Sequence, residues 1–299
     1  MDLRADSADA ALKALIGRLH AGGRLRVWSL VITIFGDMIV PRGGRVALSV
    51  LQEMSGRLGI EAGALRTAMS RLAADGWVDR ERAGRNSFYR LAERGRHAFD
   101  LATRRIYAGR PPAWSGNWTV LVAPPEQRAA DPGEEASALG FVRVAAGVYL
   151  RPDAEGAPPI GDGFAGMLVV HGASAEHPEA ILSLWPAQET AAAYRSFIAA
   201  YGALADLLRG GAGLDGLDAV AARALLIHDW RRIVLRDPGL PAELLPADWP
   251  GEEARRAARD IYAALAAPSE AWLDAAGLPA QVEARSFRMR FDGSAQSSR

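Results

Sequence analysis

The sequence predicts an α+β protein made of three consecutive parts, and the order of its hydrophobic segments is the main reason. Residues 1–110 have the pattern of helices followed by a two-stranded hairpin, residues 111–210 that of short apolar strands, and residues 211–299 that of helices. A chain of 299 residues has room for two or three domains. A hydrophobic share of 49% and a charged share of 23% are those of globular proteins, which excludes collagen-like and disordered chains.

The composition also excludes several kinds of site. The chain has no cysteine, so it has no disulfide framework, no thiolate nucleophile and no cysteine-ligated metal. Its 5 histidines are not spaced as a helical metal pair, and we expect no metal ion and no cofactor. No apolar run reaches the roughly 18 residues that span a bilayer, and the acidic start is unlike a secretory signal. We therefore expect a cytoplasmic protein without a membrane partner.

The distribution of charge is uneven although the net charge is zero. Through residue 110 there are 18 arginines and Lys13 against 11 acidic residues, a net charge of +8; the remainder carries −8. Codon bias in a GC-rich genome would explain arginine in place of lysine, but it would not place the excess in one third of the chain. A basic part in a neutral protein suggests an anionic partner for that part, and arginine suits phosphate and guanine.

The basic part follows the order of a winged helix-turn-helix domain. Its helices and hairpin are predicted at residues 9–20, 24–40, 47–58, 61–74, 77–91 and 92–107. Asp75-Gly76 closes the fourth helix, and residues 83–86 form the turn of the hairpin at 77–91. The third and fourth helices are followed directly by the hairpin, as in a winged helix-turn-helix domain. The second helix of that pair, the fourth in the chain, is therefore the candidate recognition helix.

The faces of that helix differ in chemistry. At about 100° per residue, Leu65, Met69 and Leu72 share one apolar face. The opposite face is small and rich in hydroxyl groups, with an arginine on each side, as suits a helix in the major groove. With the hairpin turn included, the predicted DNA contacts are Arg66, Thr67, Ser70, Arg71, Arg82, Arg85 and Asn86. The alternative is a solvated helix whose arginines pair with Glu61 and Asp75.

The second and third parts follow a proline-rich linker at 109–116. Four short strands are predicted at 118–123, 141–150, 167–170 and 181–185, with a helix at 134–139 between the first two. That order is ferredoxin-like. Further helices are predicted at 187–209, 217–236 and 250–265, and residues 280–299 are expected to be loose.

Several motifs then resemble the PaaX family, transcriptional repressors of phenylacetic acid catabolism. They are SLVITIFGD (29–37), PRGG (41–44), LRTAMSRL (65–72), GW (76–77), SFYRL (87–91), LIHDWRR (226–232), RDP (236–238), LP (240–241), LLP (244–246) and DWPG (248–251). The resemblance covers residues 25–275. It implies a winged helix-turn-helix domain, a middle domain similar to Cas2 nucleases in fold, and a helical C-terminal domain. It also implies a homodimer that leaves a double-stranded operator on binding phenylacetyl-CoA.

The C-terminal block of that resemblance is the candidate effector site. A coenzyme A thioester needs arginines for its phosphates and aromatic walls for its acyl group. The candidate residues are His228, Trp230, Arg231, Arg232, Arg236 and Trp249. The alternative is structural, because Asp229 and Arg232 are spaced as a helical ion pair and the tryptophans could belong to the core or a dimer surface.

An enzyme is the competing class. A Cas2-like domain could be a metal-dependent nuclease, which needs a carboxylate at the end of its first strand. That strand ends in Ala123-Pro124-Pro125-Glu126, so the sequence favours a domain without catalytic residues. An acyl-CoA hydrolase is less favoured, since no nucleophile and base pair is evident. The G-x-G-x-x-G match at 161–166 precedes a strand rather than a helix, and we interpret it as a loop.

Overall fold

A computed structural model gives the architecture of the chain. The residues it describes are 3–23, 25–84, 86–127, 133–154, 157, 159–173, 176–185, 187–237, 239–282 and 284–292. The fold is mixed α+β, with helical N-terminal and C-terminal regions and antiparallel sheets between them.

The N-terminal region is helical, as its hydrophobic pattern predicts. Its helices are α1 (Leu3–Ala21), α2 (Val27–Ile34), α3 (Leu48–Arg57), α4 (Ala62–Ala74) and α5 (Glu93–Ile106). Helix α2 continues into a π-helical turn at Phe35–Ile39 and a 3-10 turn at Val40–Arg42. The chain can turn there because Gly43 adopts a φ of 88°, a conformation that side chains other than glycine rarely adopt.

A small antiparallel sheet lies beside these helices. Its strands β1 (Arg45–Ala47), β2 (Val78–Ala83) and β3 (Asn86–Leu91) are arranged in the order β1-β3-β2. Strands β2 and β3 form the predicted hairpin, with Arg80 opposite Tyr89. Strand β1 pairs with the other side of β3 and was not predicted, because three residues are too few to show an alternating pattern.

The second antiparallel sheet is formed in the middle of the chain. Its elements are β4 (Trp114–Val122), α6 (Gly133–Ala138), β5 (Val142–Ala145), β6 (Val148–Ala154) and β7 (Leu168–Gly172). The strand order is β5-β6-β4-β7, with antiparallel neighbours throughout. Helix α6 supports one face of the sheet, where Leu121, Phe141 and Tyr149 pack together.

Three sequence predictions for this region are wrong in detail. The segment 141–150 is a hairpin of two strands, because Gly147 turns the chain with a φ of 71°. Residues 181–185 belong to a 3-10 helix, Pro178–Leu184, and to the residue after it; a short apolar run does not distinguish helix from strand. Strand β4 begins at Trp114, inside the predicted linker, because Trp114 already pairs with Ala154.

The C-terminal helices are long. They are α7 (Ala187–Arg209), α8 (Gly216–Val234), α9 (Gly251–Ala275) and the short α10 (Ala284–Arg288). Helix α9 runs beyond its predicted end at residue 265, through Pro268. None of the helices in the described ranges is long and apolar enough to cross a membrane.

One hydrophobic core joins the first and last regions. Leu12 of α1 and Leu30 of α2 pack into the same cluster as Phe197 of α7 and Trp230 of α8. Helix α7 lies against α1, α8 and α9. The domain boundaries predicted at residues 110 and 210 stay predictions; the helices on both sides of them share this core.

A buried cluster of charged groups crosses that core. The Asp37 carboxylate in the π-helical turn accepts hydrogen bonds from Arg223 at 2.7 Å, Arg290 at 2.7 Å, Tyr107 at 2.5 Å and Tyr262 at 2.9 Å. Burial alone would raise the pKa of Asp37, but the two guanidinium groups hold it below its usual value.

The ends of this cluster lie at Arg42 and in the C-terminal tail, and the tail corrects a further expectation. Arg42, in the turn after α2, is 2% exposed and binds the carboxylates of Glu270 at 2.5 Å and Asp274 at 2.7 Å. The tail from 280 was expected to be loose, yet Phe291 is 2% exposed and Arg290 reaches Asp37. Both positions are fixed by distant carboxylates, which local patterns do not reveal.

Candidate DNA-binding surface

Helix α4 presents the two faces that its sequence predicts. Leu65, Met69 and Leu72 are buried against the rest of the N-terminal region. The candidate contact residues on its other face are all exposed: Arg66, Thr67, Ser70 and Arg71. A helix held by one apolar face leaves the opposite face available to a partner.

The neighbouring turn fixes the position of α4. The chain passes from α3 to α4 through Gly59, whose φ is 75°. A Cβ at Gly59 would lie 2.9 Å from the Nε2 atom of His20 in α1, so a larger residue would have to displace that imidazole as well as adopt a strained φ. The same His20 nitrogen lies 2.8 Å from the carbonyl oxygen of Leu58. Helix α1 thereby braces the turn that sets the angle of α4.

The exposed side chains of α4 have weak local partners. The Thr67 hydroxyl donates to the Gly63 carbonyl at 3.1 Å. Arg71 lies 3.6 Å from the Asp75 carboxylate and 5.7 Å from the ring centre of Trp28 in α2. An exposed ion pair of this kind contributes little and is easily exchanged for a phosphate. Of the pairs expected if α4 were only a solvated helix, the one between Arg71 and Asp75 is thus present.

The hairpin beside α4 carries the remaining candidates. Arg82 and Asn86 are exposed near its tip, and Arg85 lies outside the described residues. Midway along the hairpin, Glu81 accepts a hydrogen bond from Arg45 at 2.9 Å, and this contact lowers the pKa of Glu81. Across the described part of the chain, neither Arg66 nor Arg82 has a carboxylate partner. These two cations are therefore available to an external anion.

The candidate effector residues are divided between core and surface. Trp230 is fully buried and donates from Nε1 to the Ile106 carbonyl at 2.8 Å. His228 is 3% exposed, with Nδ1 at 3.1 Å from the Thr33 hydroxyl, and burial lowers its pKa to about 3. Both side chains belong to the packed core and offer no ligand surface in this arrangement.

The three arginines of the candidate effector set differ in how exposed they are. Arg231 is half-buried and donates from Nη2 to the Ser29 hydroxyl at 2.7 Å and to its carbonyl at 2.9 Å. Burial first, and the charge of Arg232 second, lower the pKa of Arg231 to about 10. Arg232 and Arg236 are exposed. Arg232 and Arg236 can thus meet a ligand, whereas Arg231 ties α8 to α2.

Trp249, the last residue of the set, lies beside an open depression. The half-buried Trp249 lines it together with Arg195, Ile198 and Glu253, and its volume is about 530 Å³. That volume is within the range of small-molecule sites. Tyr194 lies between Trp249 and Trp230, with ring centres 6.0 Å and 5.9 Å away.

Sequence reasoning missed Trp28 and Arg45 as supports of this surface. The tryptophan lies beneath Arg71, and the Arg45 guanidinium lies 3.7 Å from the ring centre of Phe88 in β3. A lone tryptophan at the start of an apolar helix was the available signal for Trp28. No signal in the sequence pointed to Arg45, because the strand that holds it, β1, was not itself evident.

A basic N-terminal region with one exposed helix face beside a hairpin is typical of DNA-binding regulators. Comparison with known proteins agrees. Residues 26–95 match the family described as PaaX-like protein, and residues 185–275 match the PaaX-like protein C-terminal domain. The Transcriptional repressor PaaX of Escherichia coli (strain K12) is 32% identical over 263 residues, which are 83% of each chain.

The chain therefore belongs to the PaaX family of transcriptional repressors. This is a family of regulators rather than enzymes, which favours the repressor over the nuclease alternative. In the described residues, no group of three or more metal-ligating side chains comes together. A solved structure of an uncharacterized protein from Mycobacterium tuberculosis is 23% identical, covers 91% of this chain and 99% of its own, and has a TM-score of 0.49.

Proposed function

We propose that this chain represses an aromatic, phenylacetate-type catabolic operon in the cytoplasm by binding a double-stranded operator. The observation that carries the proposal is the exposed face of α4. Arg66, Thr67, Ser70 and Arg71 project away from a buried apolar face, and the domain that holds them carries the positive charge of the molecule. Arginine and hydroxyl side chains on an exposed helix suit the edges of bases in the major groove.

The architecture that we propose has three parts. Residues 1–110 form a winged helix-turn-helix domain with a linker helix, in which β2 and β3 are the wing. Residues 111–210 form a ferredoxin-like, Cas2-like domain, supported by the strand order β5-β6-β4-β7. Residues 211–299 form the helical domain for effector binding and dimerisation.

The protein acts as a homodimer on a palindromic operator. One recognition helix covers too few base pairs for specificity in a genome, and two-fold symmetry places two half-sites about one helical turn apart. The basic domain would repel a second copy of itself, so the contacts between protomers come from residues beyond 110.

An aryl-CoA thioester such as phenylacetyl-CoA releases the operator. The exposed Arg232 and Arg236 are the members of the candidate set that suit its phosphates, and Trp249 beside the depression suits its acyl group. The ligand acts by preferring a conformation in which the two DNA-binding domains no longer match the half-site spacing.

The test is selection of DNA by the full-length protein from a pool of random duplexes in buffer with Mg²⁺. We expect enrichment of a palindrome and recovery of intact duplex. A pool without enrichment contradicts the proposal, and shortened duplexes would support the nuclease instead.

A further inference from the structure

A second hydrophobic cluster lies between the middle sheet and the C-terminal region. Its aromatic members, which we call the tryptophan cluster, are Trp114, Trp118, Trp185 and Trp249. The ring centres of Trp114 and Trp118 are 5.3 Å apart, and those of Trp185 and Trp249 are 5.6 Å apart. The cluster is completed by aliphatic side chains from three segments, Val142, Ile181, Leu240 and Leu244.

This cluster holds an unusual pair of polar atoms. Trp118 and Trp185 are 5% and 7% exposed, and in the described part of the chain their buried indole N–H groups have no acceptor. Two other indole N–H groups do have acceptors: Trp230, outside the cluster, donates to the Ile106 carbonyl at 2.8 Å, and Trp114, at the exposed edge of the cluster, donates to the Asn117 carbonyl at 2.9 Å. A buried donor without an acceptor is a cost to folding, and such groups in a native structure call for a missing partner.

The cluster also borders open space. The half-buried Trp249 belongs both to the cluster and to the lining of the depression of about 530 Å³, and its ring centre lies 5.6 Å from that of Trp185. Arg195 lies at the rim, 3.7 Å from the carboxylate of Asp248, and both side chains are exposed. Ligand sites favour such junctions between domains, with apolar walls and a few polar groups.

We propose that the tryptophan cluster binds the aromatic acyl group of a small-molecule ligand, with Trp249 as its movable wall. The indole rings of the cluster flank the flat ring of the ligand. The acyl oxygen accepts a hydrogen bond from Trp118 or Trp185, which supplies the acceptor that these groups lack. Arg195 exchanges Asp248 for an anionic group on the ligand that remains at the rim.

The choice of ligand rests on the proposed function, in which an aryl-CoA releases the operator; the location of the site rests on the unpaired donors. The probe is phenylacetyl-CoA, with coenzyme A as the comparison that lacks the aryl acyl group. Binding of both to the full-length protein is measured by isothermal titration calorimetry, and operator binding is measured separately.

Trp118→Phe and Trp185→Phe each keep an aromatic wall and remove one unpaired N–H. We expect each to weaken phenylacetyl-CoA binding about three- to tenfold and to leave coenzyme A and operator binding unchanged. The melting temperature of the ligand-free protein should fall less than in Trp230→Phe, because each of these variants loses buried ring volume but no hydrogen bond. Trp249→Ala should weaken phenylacetyl-CoA binding further, since it removes the wall itself.

Two other tryptophans are matched controls. Trp272→Phe in α9 changes a half-buried indole outside the cluster and should bind phenylacetyl-CoA like the wild type. Trp230→Phe removes a paired N–H and should lower the melting temperature. The inference is overturned if the wild type does not bind phenylacetyl-CoA, or if the Trp118, Trp185 and Trp249 variants bind it equally well. A wild-type protein that enriches no operator contradicts the proposed function instead.

Discussion

The side chains on the outer face of α4 provide the most direct test of the proposed operator contacts. Arg66→Ala, Ser70→Ala and Arg71→Ala should each leave the fold intact, because none of these residues packs in the core. Each should weaken operator binding by about 1–3 kcal/mol per half-site, the value of a base contact. Fluorescence anisotropy with a labelled operator measures this, and circular dichroism checks the fold.

A matched control is available on α7. Arg209→Ala removes the same charge from an exposed arginine, paired with Asp206 at 2.8 Å, that lies outside the basic region. It should bind the operator like the wild type. Unchanged affinity in all three α4 variants would contradict the recognition-helix assignment.

His228 gives the protein a specific dependence on pH. Burial holds the pKa of His228 at about 3, against 6.5 for an ordinary histidine, so the unfolded chain takes up a proton there before the folded one does. The stability that comes from keeping His228 neutral is therefore fully present above pH 6.5. As the pH falls from there toward 3, the free energy of unfolding decreases by roughly 1.4 kcal/mol per pH unit.

Urea denaturation of wild type and His228→Gln between pH 4 and 7 measures this effect. The free energy of unfolding of the variant should fall less steeply with decreasing pH, because the titrating group is gone. His177→Gln, at an exposed site, is the control and should follow the wild type. Identical slopes for wild type and His228→Gln would show that His228 is not buried in its neutral form.

At the scale of elements, the β2–β3 hairpin, which we propose as the wing, should act on affinity rather than on sequence preference. Arg82 is exposed near the tip of the β2–β3 hairpin, where it can reach a phosphate. Arg82→Ala should weaken binding to all duplexes alike and reduce the salt slope by about 0.9, one phosphate contact. Titrations at several salt concentrations test this. A changed sequence preference would mean that the wing reads bases.

The π-helical turn after α2 is the element that ties the DNA-binding region to the C-terminal helices. Asp37→Asn would leave Arg223 and Arg290 without their buried counter-charge. We expect a loss of about 3–5 kcal/mol in the free energy of unfolding, measured in urea. Glu81→Gln, which weakens an exposed ion pair, should change it by less than about 0.5 kcal/mol. Equal losses in both variants would contradict the role of Asp37.

The elements also show what the sequence could and could not predict. The apolar faces of α4 and α7 depend on local spacing, so their helices were evident from periodicity. The Asp37 cluster was not, because its members are separated by as many as 253 positions along the chain. A single carboxylate within the apolar run 27–40 was the available signal of a buried partner. The exposed residues of α4 were predictable, whereas the burial of His228 and Trp230 required the packing of α8 against α2 and α5.

At the scale of the whole molecule, the regulation that we propose acts through the shared core. Helices α1 and α2 pack against α7 and α8, so a ligand that shifts the C-terminal helices can move the DNA-binding region with them. Coupling of this kind is reciprocal: operator DNA should weaken effector binding by the same factor by which the effector weakens operator binding.

The most direct test of the repressor account is a titration of the full-length protein with a selected palindromic duplex and its scrambled counterpart. At physiological salt we expect the selected duplex to bind at least about 10³-fold more tightly. Saturating phenylacetyl-CoA should then weaken its binding by about 5- to 150-fold. Equal affinity for the two duplexes would contradict the account.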